Sequence, residues 1–295
     1  MQVQYLLGID GGGTHCRARL TNLQGNVLAE CQAGPANVYS DYSQALQTAS
    51  LLAHDAVQRA GLPADALQRT IAVSGLAGAN VPSLRQRLQQ WRPPFYRHQT
   101  LSDAEIACIG AHQGEPGAIL IVGTGSQGVI WDGQAFHSVG GWGFALADQG
   151  SGAQLGRRAL RHALLAHDEL VENTALTQAI MARFEHNPEH LLQWSGNATP
   201  ADWAAFAPLV FQAAEQQDPA ASMLLQRTAD DITLLLSALI KRGQGRVSLM
   251  GGLAAPVLPW LPHHVQATVV PAQTDALSGA LYLARRQHQQ STAGY

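Results

Sequence analysis

Charge in general and lysine in particular are scarce in this chain. Charged residues make up 13% of the 295 residues, the formal net charge is −3, and Lys241 is the single lysine. P-loop nucleotidases and protein kinases both place a lysine on the nucleotide phosphates, so the sequence excludes both classes. The absence of a basic patch also argues against a nucleic-acid partner.

Cysteine and long apolar runs are scarce as well. Cys16, Cys31 and Cys108 are odd in number and lack metal-ligand spacing, which predicts reduced thiols in a cytoplasmic protein. No apolar run approaches the roughly 20 residues of a membrane span. The first residues do not combine a basic segment with an apolar one, as a signal peptide does. We therefore expect a cytoplasmic protein with no membrane partner.

What the chain does contain is a glycine-rich turn that follows an apolar strand near its start. The predicted strand 5–9 ends at Asp10, and an alternating strand, 16–20, follows the turn. The turn itself consists of Gly11, Gly12, Gly13 and Thr14. Glycines allow a phosphate to approach backbone N–H groups, and Asp10 could hold Mg²⁺ directly or through water. A hairpin without a ligand is the alternative, although it needs only about two turn residues.

The same pattern returns about 110 residues later. An apolar strand, 118–122, leads into a turn of Gly123, Thr124, Gly125 and Ser126. The glycines fit G-x-G-x-x-G, but a strand and not a helix follows, which argues against a dinucleotide site. The repeat predicts two related α/β domains. A third strand, 246–250, ends at Gly251 and Gly252.

Three further stretches carry candidate site residues. Asp103 follows the predicted strand 98–101 and precedes a helix, where it is either a ligand at a strand end or a helix N-cap. Asn37 lies in a loop and either forms hydrogen bonds with sugar hydroxyls or is a plain turn residue. The glycine-rich segment 140–152 contains Gly141, Trp142 and Asp148, which indicates a binding loop or, alternatively, an irregular connection into the next helix.

The breakers along the chain predict its organisation. We expect a first domain of residues 1–115 and a second of residues 116–283, with the final helix, about 284–295, returning to the first. A helical insert is predicted over 153–240, with helices at 154–166, 170–184, 203–216 and 220–239. A strand is predicted at 265–270.

Together these motifs resemble the actin-like ATPase superfamily of sugar kinases, Hsp70 and actin. The segment from Gly8 to Thr14 resembles its phosphate-1 motif, residues 123–126 its phosphate-2 motif, and residues 250–252 its adenosine motif. Ser102-Asp103-Ala104 resembles the segment carrying the catalytic aspartate of sugar kinases. Over its whole length the chain resembles the BadF/BadG/BcrA/BcrD group, in particular its bacterial glucosamine and N-acetylglucosamine kinases.

The resemblance implies two ribonuclease H-like domains flanking an interdomain cleft, the second enlarged by the helical insert. It further implies ATP and Mg²⁺ as cofactors and a small amino sugar as substrate, phosphorylated at its 6-hydroxyl in amino-sugar or chitin-derived sugar catabolism. Asp103 would be the catalytic base, for which a carboxylate of ordinary pKa suffices. The implied sugar contacts are Asn37, Asp103, Thr124, Gly125, Gly141, Trp142 and Asp148.

The sequence leaves the oligomeric state open, a homodimer being one option because family members are often homodimers. Two alternatives to the kinase remain at this point. One is a non-catalytic sugar sensor, which need not keep Asp10, Asp103 and both glycine turns. The other branch of the group consists of ATPases that activate a partner reductase or dehydratase and hold an iron–sulfur cluster on paired cysteines. The three cysteines of this chain do not lie at such positions, which favours the kinase.

Overall fold

The computed structural model describes residues 2–292. Its nine strands are β1 Tyr5–Gly11, β2 Cys16–Asn22, β3 Val27–Ala33, β4 Thr70–Leu76, β5 Arg97–Leu101, β6 Gly117–Val122, β7 Ser126–Trp131, β8 Phe136–Gly140 and β9 Val247–Met250. Its α-helices are α1 Tyr42–Arg59, α2 Pro82–Leu88, α3 Asp103–His112, α4 Gly152–His167, α5 Ala175–Ala182, α6 Pro188–Asn197, α7 Pro200–Ala204, α8 Ala207–Glu215, α9 Pro219–Arg242, α10 Ala254–Val257, α11 His263–Gln266 and α12 Ala276–Thr292. Within this described range, no helix is both long enough and apolar enough to span a bilayer.

Contacts group these elements into two compact units. Within the described range, the first contains residues 2–117, the segment Trp131–Phe136 and residues 271–292. The second contains Ala118–Ile130 and His137–Val270. The expected domains were residues 1–115 and 116–283. The units differ from them because residues 131–136 and the whole described part of the last helix belong to the first unit. Of the expected helix 284–295, residues 293–295 lie outside the described range.

The first unit is built on a five-stranded sheet with the order β3-β2-β1-β4-β5. Strand β1 pairs antiparallel with β2 and parallel with β4, and β4 pairs parallel with β5. The carboxyl ends of β1, β4 and β5 therefore meet at one edge of the sheet. Helix α1 begins at its N-cap Asp41, whose side chain accepts a hydrogen bond from the Gln44 N–H, and it packs its alanine- and leucine-rich face on the core that includes Leu7 and Ile9.

Helices α3 and α12 cross at two glycines of the first unit. A Cβ at Gly110 would clash with the carbonyl oxygen of Asp275, and one at Gly279 with the carbonyl oxygen of Ile106. Glycine alone allows the two backbones to approach this closely. Arg19 of β2 holds the start of α12, since its guanidinium lies 3.2 Å from Asp275 Oδ2 and 3.0 Å from Ser278 Oγ.

The second unit has a four-stranded sheet with the order β8-β7-β6-β9, in which β9 runs parallel to β6. Helix α9 packs on this sheet through apolar residues such as Ile232, Leu236 and Leu239. Helices α4, α5, α8 and the start of α9 form a second apolar cluster. The helical region between β8 and β9 runs from Gly152 to Arg242, close to the predicted insert.

Three details of the secondary structure differ from the prediction. The β-branched run at 265–270 is not a strand, because the chain turns into the short helix α11 after Pro262 and only Val269 makes an isolated bridge, to Val247. The predicted helix 203–216 is two helices, α7 and α8, each with a proline in its first turn. Helix α6, which starts at Pro188, was not predicted.

Candidate active site

The first glycine turn connects β1 and β2 in the first unit. Asp10 pairs with Arg17 and Gly11 with Cys16 in the antiparallel register, and the Gly12 N–H donates to the His15 carbonyl at 2.8 Å. A Cβ at Gly11 would lie 2.7 Å from Leu76 and 2.9 Å from Ala36, whereas one at Gly13 would meet nothing within 4 Å. Gly11 is therefore required by packing, and Gly13 leaves open space that a phosphate group fits.

Asp10, the expected Mg²⁺ ligand, is paired with Arg17 across the hairpin. The distance between Arg17 Nη2 and Asp10 Oδ2 is 2.6 Å, and 46% of the arginine side chain is exposed. Within the described residues, no group of three or more His, Cys, Asp or Glu side chains could hold a metal ion. Magnesium usually keeps several waters and takes one or two carboxylates plus substrate phosphates, so Asp10 alone fits such a role. Arg17 was not singled out from the sequence.

Asp103 lies at the same sheet edge as the first glycine turn, because it directly follows β5. It is the first residue of α3 and not its N-cap, since Ser102 fills that position. Its carboxylate accepts a hydrogen bond from the Ala104 N–H at 2.9 Å. Burial, with smaller contributions from the negative charges of Asp10 and Glu105, raises the pKa of Asp103 from 3.8 to about 6. The mechanism expected from the sequence required only an ordinary pKa, and the raised value was not anticipated.

Asn37 also lies at this edge, and its side chain forms hydrogen bonds within its own loop. It forms a parallel bridge with Ala77, directly after β4. Its side-chain oxygen accepts hydrogen bonds from the backbone N–H groups of Tyr39, at 2.9 Å, and Ser40, at 3.4 Å. The turn role and the sugar-binding role are thus compatible, because the oxygen shapes the turn and the NH₂ group remains as a donor for a ligand.

The second glycine turn lies at the end of β6 in the second unit. The Gly123 N–H donates to the Gly125 carbonyl at 2.9 Å, and the first residues of α4 donate back to the turn, Gly152 to Gly123 at 2.8 Å and Ala153 to Thr124 at 3.2 Å. Ser126 Oγ donates to the Gln149 carbonyl at 2.8 Å. The Ser126 hydroxyl therefore stabilises the neighbouring loop, although we had expected it on the nucleotide.

The loop 140–151 is held to this turn by Asp148. Asp148 is buried and has a φ of 60°, and its carboxylate accepts hydrogen bonds from the backbone of Ser126 and Gly143. Burial raises the pKa of Asp148. A Cβ at Gly125 would lie 3.0 Å from the Asp148 carboxylate, so these two predicted sugar contacts are neighbours.

Gly141 and Trp142 lie on the outer part of the same loop. Gly141 has a φ of 74°, and a Cβ there would lie 2.9 Å from Gln127. The Trp142 side chain is 76% exposed, so its ring is available to a ligand. The base of the loop is fixed by Asp231 of α9, which accepts from the Gly150 N–H at 3.2 Å and pairs with Arg158 at 2.7 Å.

A cavity of about 970 Å³ opens beside the second glycine turn. It is lined by Gly123 and Thr124, by Gly252 and Leu253 after β9, and by apolar side chains that include Phe211 and Trp260. Gly251 has a φ of 95° and packs against Val122, while a Cβ at Gly252 would meet nothing within 4 Å. Apolar walls suit a purine base, and the glycine turns leave room for phosphates. The residues present therefore fit a nucleotide.

Comparison with known proteins agrees with this geometry. The model of the BadF/BadG/BcrA/BcrD ATPase family matches residues 7–284. Glucosamine kinase GspK from Vibrio cholerae is 39% identical over 96% of both chains. N-acetyl-D-glucosamine kinase from Dictyostelium discoideum is 28% identical over 82% of this chain and 81% of its own. A solved structure of a candidate N-acetylglucosamine kinase from Chromobacterium violaceum has a TM-score of 0.85 and 34% identity, and covers 96% of this chain and 99% of its own.

The fold and the two glycine turns define an ATPase of the actin-like fold, with a helical insert in its second unit. The expected fold class is thereby confirmed. The chain belongs to the BadF/BadG/BcrA/BcrD ATPase family.

Proposed function

We propose that the chain is an ATP-dependent sugar kinase that transfers the γ-phosphoryl group of ATP to the 6-hydroxyl of an amino sugar. The observation that carries the proposal is the meeting of Asp103, Asn37 and the Asp10–Thr14 turn at one edge of the first sheet. The kinase names of the similar proteins support the same activity. The product would enter amino-sugar catabolism.

Asp103 is the proposed catalytic base. Phosphoryl transfer passes through a loose transition state, so the residues mainly position the reactants and stabilise charge. The Asp103 carboxylate would accept a hydrogen bond from the sugar hydroxyl, orient it toward the phosphorus and take its proton as the new bond forms. A pKa of about 6 keeps this group ionised at neutral pH and makes it a better proton acceptor than an ordinary aspartate.

Each unit offers groups to a nucleotide. In the second unit, the cavity beside Gly252 would take the adenosine, and the turn at 124–126 would donate backbone N–H groups and the Thr124 hydroxyl to phosphates. In the first unit, the turn at 11–14 would donate backbone N–H groups and the Thr14 hydroxyl. Mg²⁺, when bound at Asp10, would neutralise charge on the phosphates. Because Arg17 is paired with Asp10, we propose that its guanidinium supplies positive charge to the phosphates. A lysine has this role in P-loop nucleotidases and protein kinases.

The sugar would be recognised by the remaining predicted contacts. The Asn37 NH₂ group can donate to a hydroxyl, and the exposed Trp142 ring can stack on the sugar. The Asp148 carboxylate retains acceptor capacity beyond its two backbone donors. Thr124, Gly125 and Gly141 line the same loop region.

The activity is tested by measuring ADP release from Mg·ATP with glucosamine, N-acetylglucosamine, glucose or no sugar. We expect strong stimulation by one amino sugar, and the phosphorylated position is then read by ³¹P–¹H NMR of the product. Steady hydrolysis that is indifferent to all sugars would overturn the kinase and favour an ATPase that activates a partner enzyme.

A further inference from the structure

Arg85 of α2 joins two segments at the active-site edge of the first unit. Its Nη2 lies 2.8 Å from both carboxylate oxygens of Glu105, and its Nε donates to the Ala79 carbonyl at 3.1 Å. The Glu105 side chain is only 5% exposed, whereas that of Arg85 is 40% exposed. One guanidinium thus contacts the beginning of α3 and the loop after β4 at the same time.

The contact with Glu105 fixes the backbone that carries Asp103. Glu105 Oε2 accepts from the Ser102 N–H at 2.7 Å, and the Ser102 hydroxyl accepts from the Glu105 N–H at 3.1 Å. This reciprocal pair is a capping box, which satisfies two N–H groups of the first helical turn. Asp103 lies between the two partners, so the orientation of its Cα–Cβ bond depends on how the Glu105 carboxylate is held.

The contact with Ala79 fixes the segment that supports Asn37. The Ala77 N–H donates to the Gly11 carbonyl at 2.7 Å, and the Val38 N–H donates to the Ala77 carbonyl at 2.9 Å. A Cβ at Gly78 would lie 2.9 Å from Asn37 Oδ1. The loop 77–79 is therefore packed between the first glycine turn and the Asn37 loop, and Arg85 holds its end.

We propose that Arg85 is a positioning residue that fixes the relative positions of Asp103 and Asn37, so that both can contact the same sugar. The inference rests on the proposed function, in which these two residues contact the sugar. Arginine suits this task because its planar fork can serve a carboxylate and a carbonyl in fixed directions, which the single ammonium group of lysine cannot. Glu105 is its partner on one side only, since it reaches α3 and not the loop 77–79.

Because Arg85 contacts both segments and Glu105 only one, their variants can distinguish a positioning role from a role in stability alone. Buried ion pairs are weak evidence for stability, since apolar residues of similar volume often serve equally well. A stability role predicts a lower melting temperature with normal activity in the folded enzyme. A positioning role predicts that Arg85 affects both sugar binding and turnover, and that Glu105 affects turnover alone.

The experiment compares Arg85→Gln, Arg85→Lys and Glu105→Gln with the control Arg92→Gln, whose guanidinium donates to the backbone carbonyls of Gln89 and Trp91. Turnover is measured at saturating substrates, and sugar affinity is measured by calorimetry with the amino sugar that best stimulates the wild type. Because misplacement of about 1 Å can cost on the order of 100-fold in rate, we expect kcat to fall about 10- to 100-fold in Arg85→Gln and Glu105→Gln.

Sugar affinity should weaken about tenfold in Arg85→Gln, because a less ordered Asn37 loop loses about the free energy of one hydrogen bond to the sugar. It should stay unchanged in Glu105→Gln. Arg85→Lys should have a kcat and a sugar affinity close to those of Arg85→Gln. Arg92→Gln should resemble the wild type in both. Wild-type kcat and sugar affinity in folded Arg85→Lys and Glu105→Gln would overturn the inference, whether or not Arg85→Gln folds. Failure of the proposed function is seen separately, as ADP release by the wild type that no sugar stimulates.

Discussion

Replacing Asp103 by asparagine should abolish turnover and at the same time stabilise the protein. Asparagine keeps the size of the side chain and an oxygen that can accept from the Ala104 N–H, but it cannot take a proton from the sugar hydroxyl. The stabilisation follows from burial, which raises the pKa of Asp103 from 3.8 to about 6. The folded wild-type protein therefore carries an ionised carboxylate that is more favourable in the unfolded chain.

The sign and size follow from linkage. For an acid whose pKa is raised by folding, the penalty is absent below the unfolded pKa, grows between the unfolded and the folded pKa, and is complete above the folded pKa. The shift of about two units corresponds to about 3 kcal/mol at pH 8 and about 1 kcal/mol at pH 4.5. Asparagine has no such pH dependence.

The assay is urea unfolding of the wild type and Asp103→Asn at pH 4.5 and pH 8, together with ADP release. The free-energy difference between the two proteins should be larger at pH 8 by about 2 kcal/mol. Asp41→Asn, which removes a carboxylate at the exposed start of α1, serves as a control that keeps turnover. An inactive Asp103→Asn with no gain at pH 8 would refute the burial argument, and an active one would refute the assignment as base.

Three further predictions concern the metal, the nucleotide and the packing. Asp10→Ala should raise the Mg²⁺ concentration for half-maximal turnover about 10- to 100-fold, and an unchanged Mg²⁺ titration would contradict its role. Gly252→Val should weaken ATP binding about tenfold or more with little loss of stability, because a side chain there fills open space and not the core; calorimetry with ATP and a thermal melt distinguish the two effects. Gly279→Ala should lower the free energy of unfolding by about 2–4 kcal/mol, because the methyl group meets the Ile106 carbonyl; a neutral effect in urea would contradict the helix crossing.

The pH dependence of turnover gives a further check on Asp103. The base must be ionised, so kcat/KM should rise with pH and level off above the pKa of about 6 in the free enzyme. A rate that is already maximal at pH 5 would show that the carboxylate is not buried as described.

The sequence predicted the position of the two glycine turns well because the pattern that produces them is local. An apolar strand that ends in glycines leaves few backbone solutions, and both turns follow their strands as expected. Asp103 was placed correctly at a strand end for the same reason. The Ser102-to-Glu105 spacing is a capping-box pattern, so the N-cap could also have been predicted from the sequence, although only Asp103 was considered for that position.

Other parts of the site depend on contacts that no local pattern contains. Arg85 lies 20 residues before Glu105, and nothing in the sequence between them indicates that they pair. The two backbone bonds of Asp148 require a left-handed φ and a particular path of the loop 140–151. The raised pKa of Asp103 depends on how much water the surrounding residues exclude, which the fold alone determines.

The close crossing of α3 and α12 has a consequence for synthesis of the chain on the ribosome. Gly110 and Gly279 are separated by the entire second unit in the sequence, so α3 lacks its α12 partner until residues 276–292 have been translated. The cavity proposed to hold adenosine, by contrast, is formed by residues 123–260 and can assemble earlier. A nascent chain that stops before residue 276 would retain this cavity while the helix that starts with Asp103 lacks one of its packing partners. The packing around the proposed base is therefore completed last, after the part that would hold ATP.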